Sequence, residues 1–133
     1  TRKITKAVAN IKLGKQSELR LGNLDTARDW GYAKEYVEAM WAILQHDTPG
    51  EFVVGTGVCT TLRDFLDMAF GHVGLNWQDY VVVDPLFFRP IDHHELRADN
   101  TKCREVLGWS PKVTVNELAA IMVEHDLKEE SNG

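Results

Sequence analysis

The sequence predicts a mixed α/β unit, and three observations carry that prediction. Apolar residues recur at three- and four-residue steps in several separate segments, the period of a helix with one buried face. Short apolar or alternating runs stand between those segments, as strands do. Glycine, proline and capping residues mark the boundaries of both.

The first helix is expected over residues 5–12, with Ile4, Val8 and Ile11 on one face. Arg2, Lys3 and Lys6 open it, and Gly14 stands where a helix often ends. Residues 18–21 alternate like a short strand, and the polar stretch 22–28 reads as a loop delivering Arg28, Asp29, Trp30 and Gly31. A long amphipathic helix follows, with Ala33, Tyr36, Val37, Met40, Trp41 and Leu44 on its apolar stripe and Thr48-Pro49-Gly50 closing it. Residues 52–54 form an apolar run ahead of Gly55-Thr56-Gly57, which suits a buried strand turning into a loop.

Thr61 with Asp64 resembles a capping box, opening a helix through Leu62, Phe65, Leu66, Ala69 and Phe70 towards Gly74. Residues 80–83 read as a third strand, and Pro85 and Pro90 bracket an extended loop carrying Phe87, Phe88 and Arg89. A short helix over residues 101–107 ends at Gly108. Thr114 and Glu117 form a second capping-box pattern before Leu118, Ile121, Met122 and Leu127, the stripe of a last amphipathic helix. The division expected is one unit over residues 1–127 and a polar, frayed tail over 128–133, with no internal repeat or linker.

A chain of 133 residues can bury one core, and 44% apolar with 26% charged residues is an ordinary globular balance. The net charge of −5 disfavours a nonspecific grip on nucleic acid or an anionic membrane, so a phosphate ligand must be held by a few placed cations. No segment is apolar for long enough to span a bilayer, and the N-terminus is basic and polar; the cytoplasm is the expected location. Cys59 and Cys103 have no second thiol at metal or redox spacing and read as free.

Gly55-Thr56-Gly57 is the nearest approach to a phosphate-cradling loop, but it lacks a third glycine and an immediate helix, so a plain turn is the favoured reading. There is no P-loop, zinc-helix pattern or nucleophile elbow. His93 and His94 beside Asp92 and Glu95 make a polar cluster, yet neighbouring histidines on a strand point to opposite faces, which favours a solvated loop over a metal site. Tyr32 and Lys34 do not share a helical face, so they are not the tyrosine–lysine pair of short-chain dehydrogenases. Arg28 and Arg89 stand in separate loops beside aromatic or proline residues; two guanidinium groups so placed can clamp a diphosphate, while surface ion pairing is the plainer alternative.

The run over residues 21–41, with Leu21-Gly22-Asn23-Leu24-Asp25 and Arg28-Asp29-Trp30-Gly31 in it, closely resembles the signature of GDP-mannose 4,6-dehydratases, a branch of the extended short-chain dehydrogenase/reductases. Thr1-Arg2-Lys3-Ile4-Thr5, Phe88-Arg89-Pro90, Leu107-Gly108-Trp109 and Pro111-Lys112-Val113 extend the resemblance over essentially the whole chain. It implies the C-terminal, substrate-binding portion of an extended Rossmann-type dehydratase. The family converts GDP-mannose to GDP-4-keto-6-deoxymannose, a precursor of GDP-fucose, by transient oxidation with NADP that makes the C5 proton acidic for elimination.

By the same resemblance, Lys3 corresponds to a lysine contacting the nucleotide, and Arg28 and Arg89 to arginines at the diphosphate. Asp92 stands where the family has a ribose-binding glutamate, so contact through the shorter side chain needs a water bridge. His93 and His94 replace the usual valine and aspartate. The family's glycine-rich cofactor loop and its catalytic tyrosine, lysine and glutamate belong to an N-terminal part. No residue here therefore carries a catalytic or cofactor-binding role, NADP belongs to the complete family enzyme, and the chain reads as an excised or truncated piece. Such a piece would expose the surface that packs on a dinucleotide domain, so self-association or an adapted surface is expected. A free-standing nucleotide-sugar-binding or interaction module is the alternative; another sugar-nucleotide epimerase or dehydratase is weakened by the run around Trp30.

Overall fold

The computed structural model describes residues 1–90 and 95–132. Helix α1, Arg2–Lys12, buries Ile4, Ala7, Val8 and Ile11 along one stripe, as the apolar spacing requires. It begins ahead of the expected start, because the Ile4 and Thr5 amides already bond to the Thr1 carbonyl at 2.8 and 3.1 Å. Strand β1, Leu19–Leu21, turns both leucines inward and Arg20 outward.

The polar stretch after β1 contains strand β2, Ala27–Arg28. Helix α2, Ala33–Gln45, follows it, and strand β3, Thr60–Thr61, leads directly into helix α3, Leu62–His72. Thr61 caps α3 by accepting the Asp64 amide at 3.0 Å, and its hydroxyl donates to the Asp64 carboxylate at 2.6 Å. Strand β4 is Val81–Val83, a 3₁₀ turn occupies Pro85–Phe87, and strand β5 is Glu95–Leu96. Helix α4, Thr101–Leu107, ends at Gly108, and helix α5 is Val115–Ser131. The full capping box is present at the start of α5: Thr114 Oγ1 accepts the Glu117 amide at 3.3 Å and the Glu117 carboxylate accepts the Thr114 amide at 2.7 Å.

Two small sheets organise the strands. Strand β1 pairs parallel to β4, with Leu19 opposite Val81 and Leu21 opposite Val83. Strand β2 is the centre of the other sheet, antiparallel to β3 and parallel to β5, so that Arg28 lies opposite both Thr60 and Leu96. The residues of β2, β3 and β5 carry no two-residue alternation of their own; their pairing is imposed by the surrounding packing.

The main core is the meeting of α1, α3 and α5 with β1. Val8, Phe65, Leu66, Ala69, Phe70, Ala119 and Val123 are all fully enclosed, and burial stabilises each large apolar side chain by about 1.5–3 kcal/mol. A smaller cluster joins Ala39 of α2, Cys103 of α4 and Trp109, with Tyr36, Phe52 and Val54 against it.

Four expectations need correction. Residues 52–54 are not a strand: Phe52 and Val54 are packed into the smaller cluster while Val53 stays 54% exposed, and no ladder forms there. The residues after Leu127 are helical up to Ser131, because α1 holds them: Arg2 Nη2 meets Glu129 at 2.7 Å and Lys6 Nζ meets Glu130 at 3.0 Å. The inward face of α5 is Leu118, Ala119, Val123 and Asp126, with Ile121 exposed. Finally, the stripe of α2 is not buried. Ala39 and Glu35 face inward, whereas Val37, Met40, Trp41 and Leu44 are 61, 59, 65 and 80% exposed.

Candidate functional site

Strand β2 and the turn after β4 face each other across a cavity of about 280 Å³, lined by Gly22, Asn23, Thr26, Arg28, Trp30, Leu62, Phe87 and Arg89. Its near wall is made by the turn leaving β1. Asn23 Oδ1 accepts the Asp25 amide at 3.0 Å, and Thr26 Oγ1 donates to the Asn23 carbonyl at 3.2 Å, which folds the segment back towards β2. Gly22 is confined by contact: a Cβ there would lie 2.3 Å from the Phe87 carbonyl oxygen. The opposite wall is the 3₁₀ turn, whose start is capped by Asp84 accepting the Leu86 amide at 3.0 Å and tied to β1 by the Asp84 amide on the Leu21 carbonyl at 2.8 Å.

The structure thus brings Arg28 and Arg89, far apart in sequence, to one cavity. Arg28 donates through Nη1 to the Ala27 carbonyl at 2.7 Å. Lys3 is not among the lining residues: its Nζ lies 4.1 Å above the Phe87 ring and donates to the Arg20 carbonyl at 2.7 Å. Asp92, like His93 and His94, lies outside the described residues. Asn23 stood in the family-like run and Phe87 in the loop between Pro85 and Pro90, but neither was given a role at the site from the sequence.

Between the two inward residues Arg28 and Trp30 stands Asp29, which turns the other way. Its Oδ1 accepts the Thr56 amide at 3.0 Å and the Thr56 hydroxyl at 2.5 Å; its Oδ2 accepts the Gly57 amide at 2.8 Å and the Ala98 amide at 3.2 Å. Gly55-Thr56-Gly57 is therefore more than a plain turn. It cradles an anion, and the anion is this protein's own carboxylate. Burial pushes the Asp29 pKa up, but the Thr56 hydroxyl and the Thr56, Gly57 and Ala98 amides together outweigh it and hold the carboxyl below its ordinary value. Gly55 is fixed by proximity as well, since a Cβ there would come within 2.2 Å of the Ala98 methyl.

Trp30 is shared with a neighbouring cavity of about 280 Å³, whose other walls include Thr56, Val58, Arg104, Lys112 and Val115. Its ring is held from behind by Phe65, with centroids 5.1 Å apart. The thiols take no part in either cavity. Both cysteines are free, and burial raises the pKa of each, which suppresses the thiolate. Among the described residues, His125, Asp126 and Glu129 could gather around a metal ion, but the Arg2 guanidinium already supplies a cation there, 3.1 Å from Asp126 and 2.7 Å from Glu129.

This arrangement of short sheets and helices is a fold found in solved structures of sugar-nucleotide dehydratases and epimerases alike. The described fold aligns with RMD from Pseudomonas aeruginosa complexed with NADPH at a TM-score of 0.86 and 18% identity, covering 96% of this chain and 42% of that one. It also aligns with dTDP-glucose 4,6-dehydratase from Bacillus anthracis in complex with NAD at 0.79 and 22%, covering 96% and 40%. Sequence narrows the class: the chain belongs to the GDP-mannose 4,6 dehydratase family, whose model matches residues 1–122. GDP-mannose 4,6 dehydratase 1 of Arabidopsis thaliana is 49% identical over 128 residues, which are 96% of this chain and 36% of that protein. The chain spans little more than a third of that relative's length.

Proposed function

We propose that this chain is the GDP-mannose-binding portion of a GDP-mannose 4,6-dehydratase, and that the cavity between β2 and the 3₁₀ turn receives the diphosphate. The observation that carries this reading is the convergence of Arg28 and Arg89 on one cavity. A guanidinium presents paired N–H donors that match two phosphate oxygens, and two such groups from different elements fix a diphosphate in place. Trp30 and Phe87 supply flat apolar walls for the rest of the nucleotide sugar, Lys3 packs on the Phe87 ring as the candidate nucleotide contact, and Asp92 is the candidate ribose contact.

The dehydratase reaction needs NADP, which supplies the reversible oxidation that acidifies the sugar's C5 proton. The described residues do not fit that cofactor: the one loop whose amides could cradle a pyrophosphate spends them on Asp29. Accordingly this chain positions substrate and performs no redox step, and it is inactive alone. The exposed apolar stripe of α2 is the surface on which a dinucleotide-binding unit would dock to complete the enzyme. The same stripe favours a second reading, an interaction module that self-associates into a homo-oligomer through α2. Two free thiols agree with a reducing compartment, the cytoplasm. No described helix is long and apolar enough to cross a membrane, and the charge of −5 argues against nucleic acid as a partner.

Calorimetric titration with GDP-mannose, with UDP-glucose as control, tests the site. Selective heat that Arg28→Ala abolishes is the expected result. Absence of heat with either ligand overturns the binding reading in favour of the module.

A further inference from the structure

We infer that Asp29 is a positioning residue for the diphosphate clamp, acting through Arg28 and touching no ligand itself. The inference rests on the proposed nucleotide site and adds the element that aims its arginine.

The geometry is that of a strand edge. Side chains alternate across an extended backbone, so Arg28 and Trp30 line the cavity while Asp29 between them points to the opposite side. Strand β2 has only two residues, and its ladder with β3 and β5 is correspondingly short. Arg28 already holds the Ala27 carbonyl through Nη1 at 2.7 Å, but so short a ladder leaves the backbone that carries it weakly fixed. The Asp29 carboxylate pins that backbone with four donors on two oxygens, drawn from the loop at residues 55–57 and from Ala98 just beyond β5. The Asp29 amide extends the ladder by one more bond, to the Leu96 carbonyl at 3.1 Å. A second tie closes the assembly: the buried Asn100 side chain donates to the Gly55 carbonyl at 2.8 Å.

The chemistry of the latch is specific to a carboxylate. All four groups facing Asp29 are donors, and two of them converge on each oxygen. An asparagine of the same shape has one acceptor oxygen and presents N–H groups to two backbone N–H donors, which can only repel or turn away. Rotation there is transmitted one residue back along the chain, to the arginine.

The test is a double-mutant cycle read by GDP titration calorimetry on the chain, with wild type, Asp29→Asn, Arg28→Lys and the double variant. Asp29→Asn is expected to weaken GDP binding about tenfold, and to add little to the loss already present in Arg28→Lys, because both remove the same aimed fork. Thr56→Val, which deletes one donor and keeps the carboxylate, shows a smaller loss with the same coupling and replaces Asp29→Asn if that variant does not fold. Losses that add fully in the double variant overturn the inference while leaving the nucleotide site standing. A wild-type chain that gives no heat with GDP overturns the proposed site, and the inference with it.

Discussion

The Arg2 guanidinium lies 3.1 Å from the carboxylate of Asp126, a side chain only 1% exposed on the inward face of α5. The partner arginine is itself 55% exposed and also reaches Glu129, so the ion pair spans from core to solvent. Removing Arg2 leaves a carboxylate enclosed without its cation. Arg2→Ala is therefore expected to destabilise the fold by about 3 kcal/mol, measured by urea unfolding, whereas Arg2→Met with Asp126→Leu recovers most of the loss. Equal destabilisation of the single and double variants would show that the pair carries no such strain.

Glu35 makes a similar anchor just ahead of the start of α5. Its carboxylate accepts the Lys112 amide at 2.9 Å and the Val113 amide at 3.2 Å, while its carbonyl accepts Trp109 Nε1 at 3.0 Å. Glu35→Ala orphans two backbone donors and is expected to cost about 2–4 kcal/mol, with amide exchange accelerating at residues 112 and 113 ahead of the rest of the chain. Unchanged protection at those amides would refute the anchor.

The lowered pKa of Asp29 makes stability depend on acid. A carboxyl whose folded pKa lies below its unfolded value contributes stability that is complete above the ordinary value of 3.8 and is lost as pH falls through the lowered folded value. Melting temperature followed downward from neutral pH should fall more steeply in wild type than in Asp29→Asn, with the curves converging in acid. Parallel curves would remove Asp29 from the acid response.

The α2 stripe should behave as a surface and not as core. Trp41→Glu with Leu44→Glu is expected to change stability by no more than about 0.5 kcal/mol and, on the self-association reading, to abolish concentration-dependent association in sedimentation velocity. A large loss of stability would place the stripe in the interior after all.

Helix boundaries were legible where a physical signal is local. Thr61, Thr114 and Gly108 mark real termini because caps are decided within one turn of chain. Strands of two residues were not legible, since Ala27–Arg28 exists only through partners at Thr60–Thr61 and Glu95–Leu96. Periodicity identified α2 as amphipathic but could not say what covers its stripe; Met40 and Trp41 look the same in a sequence whether buried or waiting for a partner. Arg28 and Arg89 stood out by their aromatic and proline neighbours, although Arg28 belongs to strand β2 and not to a loop, and both line one cavity. Asp29 did not, because its role depends on amides at 56, 57 and 98 that only the fold brings near.

The packing of α1 on α5 also sets the order of events during synthesis. The contact between Arg2 and Glu129 joins positions 127 apart, so α1 cannot be covered by α5 until both helices have emerged. Until then Ile4, Val8 and Ile11 lack part of their permanent cover. A pause in translation before α5 would leave that apolar face of α1 open to wrong partners.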